Sequence, residues 1–315
     1  MPTRFSSRWR EYGVPALLLL LSVITTTAIG ARFMQNFLAG LPILADDGDL
    51  WPWPWLFAQP SRFLLGIPFS ASLLAILLAH EFGHYFACQA HKIRCTLPWV
   101  LPAPTLSGTL GAVIQIRGRI PGRRSLMDVG VYGPIAGYLV SMVVLALGFL
   151  LSRAAPHGYA QAQLVTFGQP LTLKLVHHAL AGFHPGLSTF AQAIPHPVLI
   201  AGWIGLFITS LNLLPGGQLD GGHILYALAP RVHRVATWLL PVLLLVAGIF
   251  LWVGWILWAA ILCIPALRHP RVPADQPLNG QRIWLSVAAL AIFVLSFSAN
   301  PFAGNSLLHF INRMK

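Results

Sequence analysis

Two histidines four residues apart, with a glutamate directly after the first, stand in His80-Glu81-Phe82-Gly83-His84. On a helix, positions i and i+4 share a face. Both imidazoles can therefore grip one Zn²⁺ while Glu81 lies beside the water such an ion activates. The setting sharpens this reading, because the motif follows Leu73-Leu74-Ala75-Ile76-Leu77-Leu78-Ala79, a run apolar enough to enter a bilayer. Ionisable groups at that depth are costly and are retained for function. A structural zinc site is closed by four protein ligands, whereas a catalytic one leaves a position for water, so a third ligand is required. Asp220 is the best candidate, in Asn212-Leu213-Leu214-Pro215-Gly216-Gly217-Gln218-Leu219-Asp220-Gly221-Gly222-His223. Pro215, Gly216 and Gly217 break the helix there, and Gly221 and Gly222 allow close backbone approach. Unwound backbone at membrane depth survives only where it is buried in protein or lines a cavity. The bland alternative is a cytoplasmic turn capped by Asp220; the matching depth of two independent polar insertions favours the metal. His223 is assigned to the turn after Asp220 rather than to the metal shell, and His91 reads as an interfacial residue.

The elements that must carry these residues are membrane helices. Of 315 residues, 56% are apolar and 9% charged, against about 25% charged in a soluble domain, and the mean hydropathy is +0.70. The fold class expected is an all-α polytopic membrane protein with the lipid bilayer as its solvent. The net charge of +12 comes from arginines between apolar spans, not from a basic run interleaved with aromatics, so no nucleic-acid partner is expected. Cys88, Cys95 and Cys263 suggest no disulfide framework. Cys88, four residues past His84, reads as a small apolar filler in preference to a ligand. Spans of about twenty apolar residues fall near 14–31, 63–90, 129–151, 198–214 and 283–299. The stretch 235–265 is long for one helix and short for two, with Gly248 and Gly254 as turn points. About six to seven spans result. The first reads as a retained helix, not a cleaved signal peptide. Arg4, Arg8 and Arg10 put the N-terminus inside, and Lys92, Arg94, Arg117, Arg119, Arg123 and Arg124 put the end of the second span inside. The site then lies in the cytoplasmic half of the bilayer, and hydrolysis there requires a polar cleft from that side.

One stretch breaks the helical pattern. Thr109, Gly111, Val113, Gln115 and Arg117 alternate with Leu110, Ala112, Ile114 and Ile116, bounded by Pro102 and Pro104 on one side and Pro121-Gly122 on the other. This predicts a β-prone hairpin or re-entrant loop near 106–120, able to pair with an unwound substrate helix by strand addition. Gly108, Thr109, Leu110 and Gly111 are its candidate substrate-binding residues. His157, His177, His178, His184 and His196 build no second metal site, since adjacent helical residues point about 100° apart. The 160–192 stretch reads as an interfacial helix.

Taken in order, His80-Glu81-Phe82-Gly83-His84, Gly133-Pro134-Ile135-Ala136-Gly137 and Asn212-x-x-Pro215 followed by Leu219-Asp220-Gly221-Gly222 resemble the motifs of the site-2 intramembrane zinc metalloproteases. The resemblance covers most of the chain, with a core at 63–222 in a single membrane-embedded domain. It is closest to the branch of the plastid yellow-green gravitropism-deficient proteases and their prokaryotic relatives. Gly108-Thr109-Leu110-Gly111-Ala112, Ser125-Leu126-Met127-Asp128-Val129-Gly130 and Arg268-His269-Pro270 support that branch. The glycine pair Gly133/Gly137 is expected to serve close helix packing.

The resemblance implies one Zn²⁺ per chain on His80, His84 and Asp220, with Glu81 as general base. Asn212 is either a stabiliser of the oxyanion and substrate backbone or an interhelical hydrogen bond. Substrates would be single-span or other transmembrane proteins, with a separate adaptor as a candidate selecting partner, since the outer segment 152–195 is too short for a PDZ domain and no CBS domain is expected. With about a dozen residues before the first span, a prokaryotic cell membrane is the expected location. Two other classes remain open: a divalent-metal transporter, which needs no glutamate between the histidines, and an inactive relative that binds membrane proteins, against which the intact motifs argue.

Overall fold

The computed structural model describes residues 9–156, 159, 166–184, 186–265, 269–273 and 277–313. Helix α1 spans Val14–Leu38, α2 Ile67–Ala90 and α3 Arg123–Leu151. Helix α4 is Leu171–Ala181, α5 Pro197–Asn212 and α6 Asp220–Leu228. Helices α7, Pro230–Phe250, α8, Gly254–Leu262, and α9, Gly280–Ser296, complete the bundle. His157 and Arg268 lie outside the described residues, as do 160–165 of the expected interfacial helix; what is described of that helix is the shorter α4.

Six to seven spans are not what these lengths support. Among the described residues four helices are long and apolar enough to cross a membrane: Trp9–Leu38, Pro60–Ala90, Arg123–Leu151 and Pro230–Phe250. Helix α5, of 16 residues, is about 24 Å long, short of the roughly 30 Å hydrocarbon core; α9 has 17 residues. The 235–265 stretch does fold back near Gly254, but α8 has nine residues, too few to cross. Gly248 is the contact point of that hairpin, since a β-carbon there would overlap the Ile256 side chain.

The core forms where α2, α3 and α5 pack together. Leu73, Ile76 and Leu77 of α2, Leu145 and Phe149 of α3, and Leu199 and Ile204 of α5 share one buried cluster. The helices approach closely because glycines face backbone or bulky side chains. A β-carbon at Gly83 would overlap the Tyr132 carbonyl, one at Gly148 would strike Leu199, and one at Gly205 would meet Ser141 and Ile76. Small residues at crossings let helices exchange side-chain separation for backbone contact.

The β-prone stretch is realised with a different partner from the one expected within 106–120. Strand β1, Trp99–Pro102, pairs antiparallel with β2, Thr109–Val113, placing Trp99 opposite Val113 and Val100 opposite Ala112. Residues 114–120 form no strand. Side-chain and loop bonds take over there: Thr96 Oγ1 accepts the Gln115 amide and Arg94 O accepts the Arg117 amide. The hairpin rests on α1, whose Ser22 donates to Val100 O and whose Thr25 donates to Gly108 O. Gly108, at φ +76°, fits where a β-carbon would run into the backbone of Thr25 and Thr26.

This packing predicts that Gly83→Ala destabilises the fold by about 2 kcal/mol through overpacking against α3. Gly280→Ala, where no atom lies within 4 Å, should leave stability unchanged. Thermal unfolding midpoints of the two variants in detergent check both.

Candidate metal centre

The i, i+4 spacing on α2 turns His80 and His84 to one side, with ring centroids 4.8 Å apart. Their seats are cut into α3: a β-carbon at Gly133 would occupy the His84 ring, and one at Gly137 would touch His80. The glycine motif thus does more than bring helices together, because it makes room for both imidazoles. The Val129 carbonyl of α3 accepts from His84 Nδ1 at 2.6 Å. That bond places the ring proton on Nδ1 and the lone pair on Nε2.

Asp220 arrives from a third direction, on the first turn of α6. The chain between α5 and α6 is unwound, with Gly217 at φ +58°. A β-carbon at Gly221 would overlap the Leu213 carbonyl, and one at Gly222 would meet the backbone of Gly216 and Gly217. The two glycines let α6 fold back onto this loop and bring its first residue to the histidines. The far end of α6 is fixed by Arg123, which donates to the Ala227 and Leu228 carbonyls, satisfying acceptors that a helix leaves open.

The result is a convergence of acceptors. Asp220 Oδ2 lies 3.1 Å from His80 Nε2 and 3.3 Å from His84 Nε2. A carboxylate oxygen facing an imidazole lone pair is repulsive unless a proton or a metal cation stands between them, and two imidazoles with one carboxylate are a donor set that zinc accepts. Donor atoms of His80, Glu81 and His84 also lie within 4.8 Å of one another, and all three side chains are buried. Asp220 is a candidate third ligand beside Glu81, since one of its oxygens meets both ring nitrogens. Glu81 then flanks the centre, with the Ile114 amide in hydrogen-bonding reach of its carboxylate. Asn212, at the end of α5, brings Nδ2 to 3.2 Å from His80 Nε2.

A cavity of ≈ 180 Å³ opens on these residues, walled by Ala112, Val113 and Ile114 on one side and Leu219 and His223 on the other. A larger cleft of ≈ 990 Å³ continues from it, sharing Ile114, Ile116, Gln218 and His223 and reaching Pro270–Pro273. Of the five expected substrate-binding residues Asn212 lines the cavity, whereas Gly108, Thr109, Leu110 and Gly111 do not. Gly108 packs on α1, Thr109 is buried with its hydroxyl donating to Leu101 O, and Leu110 and Gly111 precede the part of the chain that does. Cys88 packs with Ala87, Ile93 and Val129, as a filler would. His91 is more than interfacial. Its Nε2 meets Asp128 Oδ2 at 2.7 Å, and Arg282 of α9 donates through Nε to Asp128 Oδ1 at 2.9 Å and through Nη2 to Oδ2. Asp128 precedes the Val129 carbonyl that orients His84, so this network ties α2, α3 and α9 together behind the donor set. Sequence spacing gave no sign of it, because its members are 37 and 154 residues apart.

A buried His₂Asp centre with a flanking glutamate, set in an apolar helix bundle, is the build of a membrane metallopeptidase. The chain belongs to peptidase family M50, whose model matches residues 68–251. It is similar to the probable chloroplastic zinc metalloprotease EGY1 of Oryza sativa subsp. japonica, 32% identical over 222 residues, covering 68% of this chain and 37% of that protein. To EGY1 of Arabidopsis thaliana it is 37% identical over 159 residues, 50% of this chain and 28% of that protein. The match to EGY2 of Oryza sativa subsp. indica is 29% over 237 residues, 72% and 42%. The matched region therefore spans well under half the length of each of these relatives. Zinc as the metal and metalloprotease as the class agree with their names. The expectation of a prokaryotic cell membrane does not stand, since these relatives are chloroplastic proteins.

Removing the Asp128 partner should loosen the metal without touching a ligand. Arg282→Gln is expected to weaken zinc retention about tenfold, the scale of losing an orienting contact behind a ligand. Chelator competition measures it, and Arg282→Lys should recover part of the loss.

Proposed function

We propose that this chain is an intramembrane zinc metalloprotease that hydrolyses peptide bonds in the transmembrane segments of other proteins, in a plastid membrane. The observation that carries the reading is the meeting of Asp220 Oδ2 with both histidine Nε2 atoms at 3.1–3.3 Å, inside a bundle whose α2 and α3 are apolar enough to span a bilayer. The chloroplastic relatives support the compartment.

His80, His84 and Asp220 hold the ion. When bound, zinc lowers the pKa of its water toward neutrality and polarises the scissile carbonyl. Glu81 would carry one proton from the attacking water to the leaving nitrogen as a C–O bond forms and the C–N bond breaks. Its burial removes competing solvent, and the Ile114 amide fixes its orientation. Asn212 can donate its amide to the oxyanion, from a position beside His80. A helical substrate exposes no free backbone, so it must unwind before reaching the cavity. The outer edge of β2 offers backbone groups to an extended segment. The ≈ 990 Å³ cleft is the route by which water and the unwound peptide arrive.

Glu81→Gln should lower cleavage of a transmembrane peptide at least a hundredfold, the scale of general-base loss, with zinc content still near one per chain. His84→Ala should lose zinc and activity together. Elemental analysis beside a cleavage assay in lipid vesicles separates the two; a Glu81→Gln protein that cleaves normally refutes the protease reading. Substrates with helix-weakening residues beside the cut should be cleaved faster than stable helices, because unwinding then costs less. Equal rates would remove the unwinding step from the mechanism.

A further inference from the structure

The histidine that follows the metal-binding turn is placed and protonated in a way the hydrolytic mechanism does not use. His223 lines both the catalytic cavity and the cleft that leads from it. Its Nδ1 lies 2.9 Å from His269 Nε2, on the loop between α8 and α9. His269 Nδ1 in turn lies 2.7 Å from the Pro270 carbonyl. A carbonyl only accepts, so His269 carries its proton on Nδ1 and presents a lone pair at Nε2. His223 must then donate from Nδ1, which leaves its own lone pair on Nε2. The direction of the whole chain is set by one backbone carbonyl.

The surroundings hold this arrangement in place. Tyr226 stacks on His269, with centroids 4.1 Å apart and planes 10° from parallel, and its hydroxyl accepts the Val272 amide. His233 packs edge-on against His269 at 5.2 Å and donates to the Gly217 carbonyl. Burial, with the nearby His233, brings the His269 pKa down to about 4, so its Nε2 stays an acceptor. Three aromatic side chains, His269, Tyr226 and His233, are thus committed to presenting the His223 ring in one tautomer. A structural imidazole pair in a packed core has no need to line a cavity and a cleft at once.

The passage from the metal centre to the cleft is lined by Ile114 and Ile116 of the chain after β2 and by Gln218 and His223. An extended strand carries N–H and C=O groups on both edges. If one edge pairs with β2, as the proposed function requires, the other edge faces His223. We infer that His223 is a substrate-binding residue whose Nε2 accepts a backbone N–H from the far edge of the unwound substrate, and that His269 is the positioning residue that fixes its tautomer. This inference rests on the protease reading above. The ligand it recognises is a peptide backbone, independent of side-chain identity, which suits an enzyme that must hold whatever sequence has been unwound.

Backbone esters test it, because an ester keeps the carbonyl and removes the N–H. The assay uses full-length protein in lipid vesicles and transmembrane peptides carrying a single amide-to-ester replacement at successive positions flanking the scissile bond. With wild type, one position should lower kcat/KM about five- to tenfold, the scale of one hydrogen bond to a neutral acceptor. With His223→Phe, the all-amide peptide should fall by the same factor and that ester should cause no further loss. Zinc content should stay near one per chain. His269→Phe should erase the same ester sensitivity. His269→Gln should restore it, since a carboxamide can donate to Pro270 and accept from His223. Should His223→Phe fail to fold, the His269 pair decides the matter alone. Ester effects of equal size in wild type and variants overturn the inference, and loss of zinc from His223→Phe overturns it by making His223 a ligand. Glu81→Gln runs alongside: if it still cleaves, the protease reading has failed, whatever the esters show.

Discussion

One carboxylate oxygen and two imidazole nitrogens meet in an apolar interior, the oxygen 3.1 Å from one nitrogen and 3.3 Å from the other. Such a meeting is tolerated there when a proton or a metal cation stands between the facing lone pairs, because low-dielectric surroundings magnify their repulsion as much as the attraction of an ion. The rest of the molecule can be read as the means of holding this arrangement. Helix α2 supplies both rings from one face. Helix α3 gives up side chains at Gly133 and Gly137 to admit them and uses the Val129 carbonyl to turn one of them. The broken α5–α6 connection exists so that Asp220 can approach from a direction that no continuous helix would allow.

The same constraint explains where the irregular backbone lies. A membrane interior penalises unpaired N–H and C=O groups, so loops at depth must face protein or a water-filled space. The 213–219 turn, the β1–β2 hairpin and the 269–273 loop all border the catalytic cavity or its cleft. They line one cleft that leads to the buried histidines. The hairpin is anchored to α1 through the Ser22 and Thr25 hydroxyls. The Asp128 network performs a related task for α9, linking it to the residue before the carbonyl that orients His84.

How much of this could be read from the chain follows from the range of each interaction. His80, Glu81 and His84 are legible because helical spacing alone puts them together. Asp220 is legible because proline and glycine next to a carboxylate, at the end of an apolar run, mark a deliberate break. Helix positions emerge from hydropathy, but the number of spans does not. Helix α5 is apolar because its neighbours bury it, and composition does not separate that from lipid exposure. Alternation finds strand β2, while its partner β1 carries Pro102 and a bulge and has no such pattern. The His91–Asp128–Arg282 and His223–His269 pairs are long-range meetings of single residues, and no periodicity announces them. The prokaryotic location fails for another reason: the membrane a protein enters leaves little trace in the segments that span it.

Zinc K-edge X-ray absorption on the purified full-length protein tests the central claim most directly, compared with Asp220→Ala. The account predicts one zinc per chain in a light-atom shell of two imidazoles and oxygen ligands at about 2.0–2.2 Å, with no sulfur, and a centre that is emptied or visibly rearranged in Asp220→Ala. A wild-type shell containing sulfur, or an unchanged zinc spectrum in Asp220→Ala, would contradict it.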